Sequence, residues 1–390
     1  MTRVSVTRQI NVRDPMVGVP SSGYASLIAQ ADAHQAVRPA GMNSGQFTKA
    51  LFEAYGSGTF VQDYSTDGAF VIAGSGGHAH YEIVGGAGFD FTTRQWFWRG
   101  TPGYTEDGMP SVVADTNGSP WYELTGFTET PAPPHPYANM IQIRTADGGG
   151  TKGSVMHLGR SAVAGESVGS NSAHRFDCAT GIWSRAAASV APGTVGALES
   201  TAVFDPVSKR YYTIPDGFHA TTTMQYLDAT TWEWGSISYP TWPAAGTGTY
   251  YKGVYWSGNG KRLMIVMWGT VWQALDLDNP SAGWTVLTKS GDVIDVQYNV
   301  PVVHQGSNDL YWRESSGAGN TIKKITPPAD PLAGTWTVST VTLLGDTIPE
   351  FIGSAGGGTP STQAYKSLFY IPSYGCLGWV TAGGVALLNP

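Results

Sequence analysis

The sequence predicts an all-β fold, a ring of six four-stranded sheets. Three observations carry this: a turn-rich, aromatic-rich composition, two ladders of repeated hairpins, and a chain that ends midway through its last repeat. The 390 residues include 51 Gly and 24 Pro with 14 Trp and 19 Tyr, a profile of many short strands and tight turns rather than of helices. Length alone does not divide the chain, because all-β rings often exceed the size of an average domain.

The first ladder is an apolar residue, a small polar one, a turn, then Trp. It runs Phe89-Asp90 to Trp96, Phe176-Asp177 to Trp183, Leu227-Asp228 to Trp234, Leu275-Asp276 to Trp284 and Ile325-Thr326 to Trp336. Each copy reads as strand three turning into strand four: the polar side chain bonds the turn backbone, and the aromatic opens the next strand and packs between sheets. The chain ends on Leu388-Asn389-Pro390, a sixth copy with no room for its Trp.

The second ladder, strand one turning into strand two, lies at 59–74, 111–126, 200–217, 253–269, 301–315 and 363–373, with apolar runs around Gly/Asn/Asp/Ser turns. Its turns are anchored on Asp63, Asp115, Asp205, Ser257, Gly306 and Lys366. A period of roughly 50 residues with four strands per unit is that of propeller blades. One step is longer, which places an inserted hairpin at 128–170 in blade two; long loops on rigid scaffolds are more often functional than accidental. Over residues 59–390 the chain resembles, in architecture, the kelch and galactose-oxidase propeller superfamily.

An unpaired edge in blade six is expected to be closed by an N-terminal strand, with 46–56 favoured and 2–12 as the rival. Residues 1–58 are thus read as an arm plus closing strand, with a short helix at 26–37, and 59–390 as the propeller.

Charged residues are 13% of the chain and the net charge is −7, so nucleic acid is not an expected partner. No segment reads as a membrane span, and the N-terminus lacks the apolar core of a secretory leader. Cys178 and Cys376 are expected to be reduced core thiols.

No G-x-S-x-G elbow, P-loop or H-E-x-x-H is present, so no catalytic residue and no cofactor is expected. The copper site of galactose-oxidase relatives needs a Tyr/His/Cys set that has no match here. His78, His80 and Glu82 alternate along GGHAHYE and form a weak metal candidate. Off the ladders, Trp121, Tyr122, Tyr137, Trp242, Tyr250 and Tyr251 are candidates for glycan or partner contacts.

Composition, arm and insertion together resemble the structural proteins of tailed-bacteriophage virions. That resemblance implies a non-enzymatic assembly component located in the virion, in contact with other structural proteins or with copies of itself. A carbohydrate-binding or carbohydrate-active propeller is the alternative, with a surface glycan as partner.

Overall fold

The computed structural model describes residues 18–52, 58–74, 81–83, 85–100, 104–106, 112–114, 122–124, 139–158, 173–187, 201–214, 222–240, 251–294, 299–313, 319–350, 353–355, 359–361 and 366–390. Six antiparallel sheets stand in a ring, the arrangement of a six-bladed β-propeller. Blade 1 is Thr59–Val61, Ala69–Ala73, Gly86–Asp90 and Gln95–Arg99; blade 2 is Met140–Ile143, Ser154–Leu158, Ala173–Asp177 and Trp183–Arg185. Blade 3 is Thr201–Asp205, Arg210–Ile214, Thr223–Asp228 and Trp234–Ser238; blade 4 is Lys252–Gly258, Lys261–Trp268, Val271–Asp276 and Trp284–Val286.

Blade 5 is Val302–Val303, Leu310–Trp312, Thr321–Thr326 and Thr335–Thr342, with Thr288–Gly291 added in parallel to its outer edge. Blade 6 takes Leu368–Ile371, Cys376–Thr381 and Gly384–Asn389 from the C-terminus and its outer strand, Tyr24–Ala29, from the N-terminus. Leu344–Gly345 covers that last edge in parallel. In both blades the chain leaving the previous blade caps an edge that would otherwise be open to pairing.

The first ladder appears as read. Phe89, Phe176, Leu227 and Leu275 stand directly opposite Trp96, Trp183, Trp234 and Trp284. The carboxylate of Asp177 accepts the backbone N–H of Ala179 and Thr180, and that of Asp228 accepts those of Thr230 and Thr231. Each buried cluster joins neighbouring blades: Trp183 packs with blade 1, Trp234 with blade 2, Trp284 with blade 3 and Trp336 with blade 4. In blade 6, Ala25 stands opposite Leu388 where blades 1 to 4 carry Trp, and in blade 5 Val338 stands opposite Ile325.

Three expectations are corrected. The hairpin expected as an insertion within 128–170 supplies the two inner strands of blade 2, while 112–114 and 122–124 pair only with each other. An inner strand is covered on both faces by neighbouring blades, and Met140, Ile143, Val155, Met156 and Leu158 are buried accordingly. The extra chain therefore lies before blade 2's first strand, at 100–139.

The N-terminal helix and strand are exchanged. The closing strand Tyr24–Ala29 takes up residues 26–29 of the expected helix and is followed by a 3-10 turn at Ala33–Val37, and the expected strand at 46–56 is largely the helix Ser44–Phe52. Asn43 Oδ1 accepts Gln46 N–H while Gln46 Oε1 accepts Asn43 N–H, a reciprocal cap that starts the helix. The described part of the arm belongs to the fold, since Phe47, Ala50, Leu51 and Phe52 enter the cluster that joins blades 6 and 1.

The sixth hairpin also shifts: its turn is 372–375, and Lys366 precedes the first strand of blade 6. Cys178 and Cys376 are buried free thiols.

Candidate functional site: two faces and a central channel

First strands run from one face of the ring to the other and second strands return. Turns within strand pairs one–two and three–four therefore lie on one side, the turn face. Links from strand two to three, and from one blade to the next, lie on the other, the connection face.

The turn face is cut down to short loops tied at every seam. Gln142 Oε1 accepts Gln62 N–H and Asp63 accepts Thr145 N–H between blades 1 and 2. Lys209 Nζ meets Asp147 at 2.6 Å between blades 2 and 3, and Arg262 spans Asp205 and Asp278 between blades 3 and 4. Trp256 donates its indole N–H to Asn308 O, and Asn259 donates to Pro328 O, between blades 4 and 5. His304 Nε2 lies 3.1 Å from Gly375 O between blades 5 and 6, and Tyr374 donates to Phe91 O between blades 6 and 1. Non-Gly left-handed residues Arg94, Lys209, Trp232, Asn259 and Asn308 sit in these tight turns.

The strand ends on the connection face bound the longest stretches of sequence between blades: 30–58, 100–139, 186–200, 239–251 and 343–367. Part of 30–58 is anchored by His34, 1% exposed, whose Nε2 lies 2.9 Å from Thr48 Oγ1 and whose ring contacts Phe47, Phe52 and Trp96. Burial lowers the His34 pKa to about 4.

Most of the sequence-derived candidates fall between the strands of the blades in sequence. His78 and His80 lie outside the described residues, and Glu82 is on the strand Tyr81–Ile83, which pairs with Tyr104–Glu106. Trp121, Tyr137, Trp242 and Tyr250 lie outside the described residues, and Tyr122 begins the strand Tyr122–Leu124. Tyr251 is buried: at 1% exposure it belongs to the core shared by blades 3 and 4, so packing accounts for it. Among the described residues no three or more metal-ligating side chains come together, and no helix is long and apolar enough to cross a membrane.

Between the faces runs a channel of about 390 Å³, lined by the first strands of all six blades. Its wall is largely apolar, with Phe60, Ile141, Val203, Val254, Val302 and Leu368; Gln62, Gln142, Arg144 and Gln305 lie toward the turn face. Gly253 belongs to this wall because a Cβ there would stand 2.6–2.7 Å from Ile214 and Val203 of blade 3.

At the connection-face end lies Lys366, which the sequence reading placed in a turn. Its backbone is left-handed (φ +52°) and its Nζ donates to Met140 O at 2.6 Å and lies 3.5 Å from Ala202 O. The side chain thus crosses from blade 6 to blades 2 and 3, and desolvation lowers its pKa to about 7. The sequence signal was a lone cation inside the apolar run AYKSLFYI.

The fold defines the class of the protein as a six-bladed β-propeller. No protein-family model matches the chain, and no curated protein matches it in sequence. Among solved structures it is similar to glutaminyl cyclase from Myxococcus xanthus, at 12% identity over 61% of this chain and 82% of that one, with a TM-score of 0.30. It is also similar to apo AztD from Citrobacter koseri, at 11% identity over 74% of each chain, with a TM-score of 0.35.

Proposed function

We propose that the protein is a non-enzymatic assembly ring, a tail-associated component of a bacteriophage virion, that docks copies of itself and neighbouring structural proteins through its connection face. The observation that supports this reading is the division of labour between the faces. Polar ties hold every seam on the turn side, while the lengthy links stand on the other, where changes in loop length cost the ring little. Fold alone does not give function, so the reading rests on this asymmetry and on the composition. The test is the mass of the full chain by light scattering across a concentration series. A closed oligomer is expected; a monomer at every concentration contradicts self-assembly.

A second reading, glycan binding, is favoured by one observation. Trp121, Tyr122 and Tyr137 fall in the sequence between blades 1 and 2, and Trp242 and Tyr250 in that between blades 3 and 4, and aromatic rings are the usual platforms for sugar faces. A glycan array probed with the wild type and with Trp242→Ala tests it. Binding lost in the variant supports it, and an array without signal removes it.

A further inference from the structure

Lys366 is poorly explained as a structural strut. The acceptors it reaches are neutral backbone carbonyls, and no carboxylate joins them among the described residues. An ammonium taken from water and given only neutral acceptors is disfavoured, and its left-handed backbone adds strain. A neutral donor would tie blade 6 to blades 2 and 3 as well. The other cation lining the channel, Arg144, has its Nε 3.0 Å from Asp147, a carboxylate it shares with Lys209. Lys366 thus stands without a carboxylate among the described residues at the connection-face end of an apolar shaft whose opposite end, at the turn face, carries glutamine amides and Arg144. That arrangement, one amine at one end and apolar walls beyond it, complements a monoanion with an apolar body.

We propose that the central channel binds a small amphiphilic monocarboxylate, its carboxylate at the Lys366 amine and its apolar body along the walls formed by Val203, Val254 and Leu368. The cavity of about 390 Å³ lies within the range of about 300–1,000 Å³ typical of small-ligand sites.

Binding is linked to protonation. Burial holds the free amine near 7, and a bound carboxylate supplies the missing counter-charge, so the complex takes up a proton above that pH. The other ionisable groups lining the channel are Arg144, paired with Asp147, and Tyr255 and Tyr370, both pushed up by burial. Lys366 is thus the group whose charge changes between pH 6 and pH 9.

The experiment is calorimetric titration of the full chain with hexanoate and with 1-hexanol, at pH 6 and pH 9, for the wild type and Lys366→Met. Hexanoate is expected to bind the wild type at pH 6 and to bind at least about tenfold more weakly both at pH 9 and in the variant, while 1-hexanol binds alike in all four conditions. Hexanoate binding that survives in Lys366→Met, or is absent from the wild type at pH 6, overturns the proposal. Should the variant fail to fold, the wild-type comparison decides alone: equal hexanoate affinity at pH 6 and pH 9 overturns it.

Discussion

The turn face and the connection face are built from the same six sheets, yet the chain treats them differently. On the turn face, strand-end aspartates fold each loop back on its own backbone, and side chains such as Arg262, Lys209 and Tyr374 reach across the seams. On the connection face the links at 100–139 and 343–367 far exceed what is needed to step between blades. Every seam is thus tied through short turn-face loops, while on the connection side Lys366 alone of the residues described above crosses between blades, which leaves the links there freer to vary. Single changes should therefore be costly in the ring and on the turn face, and mild on the connection face.

The largest effect is expected where the ring closes. Ala25, 4% exposed, stands opposite Leu388 in the closing pair. Ala25→Asp puts an unpaired carboxylate into the joint core of blades 6 and 1 and should cost about 4 kcal/mol or more, read by denaturant unfolding. Removing residues 1–44 should likewise unfold the ring, because that cut takes the closing strand with it.

Next comes the turn face. Asp205 has a side chain 1% exposed and accepts Val207 N–H, the Ser208 hydroxyl and Arg262. Asp205→Ala should cost about 3 kcal/mol, since breaking a buried pair strands its partners. A loss below about 1 kcal/mol would break the claim that turn-face seams hold the ring.

A smaller effect reports on the anchored part of the 30–58 link. His34 is lowered to about 4 in the folded chain from an ordinary value near 6.5. Between those values the unfolded chain binds more protons, so stability is fully present above about pH 6.5 and falls as the pH drops toward 4. From pH 7 to pH 5 this group should cost about 2 kcal/mol, measured as the wild-type difference minus that of His34→Gln. An identical pH dependence in the two proteins would mean that the link is not held through His34.

The ring was legible in the sequence because the Asp-turn-Trp hairpin is a local signal: the aspartate closes its own turn and the Trp sits directly across the pair, as at Leu227 and Trp234. Pairing between distant segments was not local, and it was misassigned. Two hairpins precede Ala173–Asp177, and burial on both faces, not the turn, decides that Ser154–Leu158 is its neighbour. The N-terminal exchange has a similar cause. The strand Tyr24–Ala29 is defined by its partner Gly384–Asn389 at the far end of the chain, while the helix signal lay in the short cap formed by Asn43 and Gln46. Lys366 was missed because its place in the channel depends on the register of blade 6, which a neighbouring turn obscured.

The smallest expected change in stability is the sharpest check on the assembly role of the connection face. Residues 107–138 are replaced by a Gly-Ser linker that keeps both ends in place, and light-scattering mass and thermal unfolding are measured on the same sample. The account predicts a folded ring within about 1 kcal/mol of the wild type that has lost the ability to form the oligomer. An oligomer that persists, or a ring that unfolds with the replacement, would contradict a connection face devoted to assembly.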